Sequence, residues 1–126
     1  MIRVINKYRL AESAKIDAIT VNIMRGYSIL SNPFIIGRDG DRSDVIGKYR
    51  VWLWDQIAGH KPAYREFIRV VALAKKGNVF LKCCCKPEAC HGDVLRSAIE
   101  WYIAKEAGSV IKPKANRGTQ LNLEFK

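Results

Sequence analysis

Asn78-Val79-Phe80-Leu81-Lys82-Cys83-Cys84-Cys85 restricts the possible folds of this chain more than any other segment. It is short and apolar on nearly both faces, so it reads as a strand covered on both sides. Strands of that kind sit inside sheets flanked by helices. Ile2–Ile5 and Ile19–Met24 are brief, β-branched runs that can extend beside it.

The remaining periodic segments are helical. One helix is expected from Ser43 to Ala58, with Ser43 as N-cap and Asp44 matching the positive end of the helix dipole. Val45, Tyr49, Trp52, Leu53 and Gln56 form its stripe, apolar except at the last position, and Gly59 can supply a left-handed terminating residue. Pro62 suits the first position of a second helix, with Tyr64, Phe67, Ile68 and Val71 as its apolar face and Gly77 as its end. A third helix is expected from His91 to Ala107, carrying Val94, Leu95, Ala98, Ile99, Tyr102 and Ile103 on one stripe and stopping at Gly108.

The order strand, strand, helix, helix, strand, helix predicts a single three-layer Rossmann-like α/β domain. A small, mainly parallel sheet would be flanked by helices. The domain spans residues 1–108, and 109–126 reads as a basic tail or edge strand, in which Gln120–Phe125 alternates like a late strand. A chain of 126 residues suits one domain. At 48% hydrophobic and 27% charged it reads as globular rather than disordered. Its longest apolar run is too short to span a membrane. The first residues lack the apolar stretch and cleavage site of a secretory signal, so a cytoplasmic location is expected. A formal net charge of +10 favours anionic partners, either a nucleotide-like small molecule or nucleic acid.

The chemistry concentrates where the best strand meets the third helix. Alternation places Cys83 and Cys85 on one face and Cys84 on the other. Lys86-Pro87-Glu88-Ala89 then turns the chain into Cys90 and His91. Three consecutive cysteines are badly placed to staple distant parts of a fold, so a disulfide framework is not expected. Three readings remain open. Cys83, Cys85, Cys90 and His91 form a three-sulfur, one-nitrogen set suited to zinc, although C-x-C-x4-C-H is not the usual paired spacing. Cys85 or Cys90 is instead a nucleophile or ligand group activated by the helix end, with His91 as acid–base partner. Or the cysteines are simply small buried hydrophobes and His91 caps the helix. Asp93 either orients His91 or matches the helix dipole.

These residues resemble a known family. Cys83-Cys84-Cys85-Lys86-Pro87-Glu88-Ala89-Cys90-His91-Gly92-Asp93-Val94-Leu95 is similar to the C-x-C-x-P-x2-C-H-G-D-x-L signature of a phage and bacterial family called domain of unknown function four-three-two-six. Asn6-Lys7, Ile23-Met24-Arg25, Ser31-Asn32-Pro33-Phe34 and Arg42 with Ile46, Tyr49 and Leu53 resemble its upstream segments. The resemblance covers about residues 2–105. Met24 and Ser31 stand where the family usually has glycine, and Cys84 where it has tryptophan. An α/β domain in a phage or prophage setting is implied, without an established activity.

Asn6, Arg25, Asn32 and Arg42 lie at element ends from which they could reach the same crevice. Arginine offers a fork for phosphate, and asparagine a bidentate amide for a base or ribose. Of the tryptophans, Trp52 reads as core and Trp54, off the stripe, as an exposed ring; His60 is expected to face solvent. The leading expectation is a domain that binds or acts on a nucleotide, nucleoside or phosphosugar. Cys85, Cys90, His91 and Asp93 would be its reactive residues, with Asn6, Arg25, Asn32 and Arg42 holding the ligand. The alternative is a non-enzymatic DNA- or RNA-binding phage accessory protein with a structural zinc or packing cluster.

Overall fold

The computed structural model describes residues 1–6, 17–83 and 90–108. Three strands, β1 (Ile2–Asn6), β2 (Ile19–Asn22) and β3 (Val79–Cys83), form one sheet in the order β1-β3-β2. Both pairings are parallel. Ile2 lies opposite Val79, Asn6 opposite Cys83, and Ile19 opposite Val79. The most apolar strand is the central one, hydrogen-bonded on both edges.

Helices α1 (Arg42–Ala58) and α2 (Pro62–Lys76) connect β2 to β3, and α3 (His91–Glu106) follows. Tyr49, Leu53 and Ile57 of α1, Phe67, Val70 and Val71 of α2, and Leu95, Ala98 and Ile99 of α3 share one core with Ile2, Val21, Val79, Leu81 and Cys83. Alternation puts Ile5 and Phe80 on the opposite face of the sheet, where both are also buried. The chain is therefore a small parallel α/β domain. The expected third layer is not assigned among the described residues, and Cys84, Cys85 and the segment 109–126 lie outside them.

Four local expectations change. Asp41, not Ser43, caps α1. Its carboxylate accepts from the Asp44 amide at 2.9 Å, and the Asp44 carboxylate accepts from the Asp41 amide at 3.0 Å. That reciprocal pair satisfies two end groups at once, which a lone serine hydroxyl does not. The left-handed residue that ends α1 is His60 at φ 51°, while Gly59 sits at φ −91°. The amides of His60 and Lys61 reach back to the carbonyls of Ile57 and Gln56, and that pattern forces the left-handed turn one residue later than expected. Trp54 is half-buried, packed edge-on against Trp101 of α3 at 5.8 Å. The inward face of α2 is rotated toward Ala63, Phe67, Val70 and Val71, leaving Tyr64 and Ile68 half-buried. His60 is exposed, as expected, and stacks on Tyr64.

Candidate functional site

Several element ends meet around one cavity of about 290 Å³. Met24 and Arg25 follow β2, Cys83 closes β3, Arg42 opens α1, and Cys90 and His91 open α3. The cavity therefore lies beyond the carboxyl ends of the parallel strands, where open α/β sheets bind ligands. Met24, Phe34, Ile35, Ile36, Val45 and Ile46 supply its apolar wall. The polar lining comes from Arg25, Asn32, Arg42, Cys83, Cys90 and His91, with no carboxylate among the described lining residues.

Cys90 is the N-cap of α3. Its sulfur accepts the Gly92 amide at 3.3 Å, and the Asp93 carboxylate accepts the Cys90 amide at 3.1 Å. The helix is thus capped by sulfur and carboxylate reciprocally, with His91 in its first turn. Cys90 is drawn against β3, where its Sγ lies 3.4 Å from Cys83 Sγ. Gly92 is what allows this approach. A Cβ there would stand 2.9 Å from Val4 Cγ1, 3.1 Å from Ile23 Cδ1 and 3.2 Å from Cys90 Sγ.

His91 is held by the chain that follows β2. Its Nε2 lies 3.0 Å from the Ile23 carbonyl, and its ring meets Tyr49 edge-on at 5.0 Å. A carbonyl oxygen can only accept, so Nε2 carries the proton and Nδ1 holds the lone pair in the neutral ring. Burial pulls the His91 pKa below its ordinary value, and the nearby Arg25 charge lowers it further. The Ile23 hydrogen bond and Asp93 oppose the shift. His91 is thereby a neutral imidazole at pH 7.

Most of the expected site residues converge here. Arg25, Asn32 and Arg42, drawn from separate segments, line the cavity together with Cys83, Cys90 and His91. Two of them also hold the wall in place. Arg25 donates to the carbonyls of Asn32 (2.6 Å) and Phe34 (3.3 Å). The Asn32 amide donates to the Val45 carbonyl, and its oxygen accepts the Phe34 amide. Asn6 is not part of the lining but sits beside it, in register with Cys83 at the end of β1. Asp93 stays in the cap rather than entering the cavity, which favours the helix-end reading of that residue. Cys85 falls outside the described residues. Among those residues no three His, Cys, Asp or Glu side chains converge as a metal-binding group, so Cys83, Cys90 and His91 alone do not form a zinc set.

The sequence places Tyr49 on the apolar stripe of its helix but assigns neither it nor the apolar wall to the site. Ile35-Ile36 in a glycine-flanked loop was a usable signal, since such a pair in a loop needs something to cover it. Tyr49 is fully buried and donates its hydroxyl to the Leu30 carbonyl at 2.7 Å, fastening the 24–40 loop to α1. Burial pushes its pKa upward, so the phenol stays protonated as that donor.

Fold and cavity together define a small parallel α/β domain with a ligand-sized, cation-rimmed crevice at its strand ends. The chain belongs to the family described as domain of unknown function (DUF4326), whose model matches residues 5–101. No curated protein and no solved structure gives a significant match. No helix among the described residues is long and apolar enough to cross a membrane.

Proposed function

We propose that the domain binds, and through its Cys/His corner acts on, one nucleoside, nucleotide or phosphosugar. The observation that carries this reading is the composition of the cavity: two arginines and no carboxylate among the described lining, set against an apolar wall. A flat base or sugar ring suits the wall formed by Phe34, Ile35, Ile36, Val45 and Ile46, and a phosphate suits Arg25 and Arg42. The volume stands at the lower edge of the range of about 300–1,000 Å³ for small-molecule sites, which favours a single nucleoside unit over a dinucleotide. Within that arrangement His91 Nδ1 is the nitrogen available for proton transfer and Cys90 is the thiol beside it; Cys85, expected to act with them, lies outside the described residues. A phage or prophage setting, implied by the family signature, accords with a nucleotide-directed role.

Isothermal titration against a panel of nucleosides, nucleoside monophosphates and ribose 5-phosphate tests the reading. Saturable binding of a phosphorylated member is expected. Arg42→Ala should weaken it about tenfold, or ~1.4 kcal/mol, and His91→Ala should weaken it too or abolish turnover. Unchanged affinity in both variants, or no binding across the panel, overturns it. The net charge of +10 favours a second reading, a DNA- or RNA-binding accessory. Its signature is nucleic-acid affinity that falls steeply with added salt and is indifferent to the cavity variants.

A further inference from the structure

We infer that Cys83 and Cys90 form a redox-active dithiol, a modification site that closes to a disulfide when a small peroxide enters the cavity beside them. The inference goes beyond the ligand reading and stands without it. Their sulfurs are 3.4 Å apart, so closure to a disulfide needs an approach of about 1.4 Å. They are brought together from separate elements, the last residue of β3 and the cap of α3. Both side chains are only 1% and 2% exposed, yet both line the cavity. The cavity is the way in for a small peroxide.

The surroundings distinguish the two sulfurs. Cys90 Sγ accepts the Gly92 amide at the positive end of α3, an arrangement that favours negative charge on that atom. Cys90 is therefore the attacking thiolate and Cys83 the resolving thiol. In the first step Cys90 sulfur bonds to one peroxide oxygen and the O–O bond breaks. The departing oxygen takes up a proton and leaves as water or an alcohol, and Cys90 is oxidised to a sulfenic acid. In the second step Cys83 sulfur attacks the Cys90 sulfur, and the S–O bond breaks. The hydroxide released takes the Cys83 proton and leaves as water. In total the two thiols lose two hydrogens, and the peroxide is reduced to two waters, or to water and an alcohol. A low-molecular-weight thiol reverses the change by exchange.

The test treats the whole protein with stoichiometric hydrogen peroxide and reads intact mass and free-thiol count. Wild type should lose two hydrogens and two titratable thiols, and a dithiol reductant should restore both. Cys83→Ser should stop at a Cys90 sulfenic acid, visible as one added oxygen and trapped by dimedone, whereas Cys90→Ser should give neither product. Cys84→Ser should behave as wild type. A disulfide that survives in Cys83→Ser or Cys90→Ser, or four intact thiols in oxidised wild type, overturns the assignment. Should a serine variant fail to fold, thiol blocking of oxidised wild type followed by tandem mass spectrometry locates the bridge, and a bridge between any pair other than Cys83 and Cys90 overturns it as well.

Discussion

Replacing Gly92 by alanine sets two opposing effects against each other, and the structure decides between them. In an open helix the exchange is favourable by up to about 1 kcal/mol, because alanine loses less backbone freedom than glycine on folding. At Gly92 the new methyl would stand 2.9 Å from Val4 Cγ1 and 3.1 Å from Ile23 Cδ1. Carbon pairs pack best at about 3.5–4.0 Å, so the first contact alone calls for a shift of at least ~0.6 Å. Val4 is β-branched and held in β1, leaving it little rotamer freedom to yield. Overpacking of this kind costs about 1–3 kcal/mol and offsets the helix gain, so a net loss of up to about 2 kcal/mol is expected. Gly47 is the control. It lies inside α1 with nothing within 4 Å of its added Cβ, and Gly47→Ala should gain about 0.5–1 kcal/mol. Urea unfolding followed by circular dichroism gives both values. If Gly92→Ala matched or exceeded wild type while Gly47→Ala gained, the close seating of α3 on β1 would be wrong.

Tyr49→Phe keeps the buried ring but removes the donor to the Leu30 carbonyl. A loss of about 1–3 kcal/mol is expected from leaving that buried oxygen unpaired. Urea unfolding measures it, and a value within a few tenths of wild type would contradict the bond. His91 makes stability depend on pH. Its folded pKa is depressed below 6.5, so between the two values the unfolded chain binds more protons. Its contribution is fully present above pH 6.5 and is lost as pH falls from there toward the folded pKa. Subtracting the profile of His91→Gln from that of wild type should reveal this slope below pH 6.5, and parallel profiles would refute a buried neutral His91.

What the sequence conveyed and what it withheld divide along a physical line. Periodicity reports one element's own faces, so all six elements were readable from spacing, whereas the order β1-β3-β2 was not. It does not report what a neighbouring element covers. Trp54 therefore looked exposed, because its partner Trp101 lies 47 positions further along the chain and reaches it only through the packing of α3 on α1. End chemistry was readable to within a residue or two: both Asp41 and Ser43 are cap formers, and Asp44 at three residues from Asp41 was the feature that selected the former. The candidate site follows the same division. Residue types announced Cys90, His91, Arg25 and Arg42, since cysteine, histidine and arginine carry chemistry wherever they stand. Residue type could not reveal that Arg25 and Asn32 also bind the 32–34 backbone and so build the wall they line. Arg25→Ala or Asn32→Ala would for that reason lose ligand contacts and wall together.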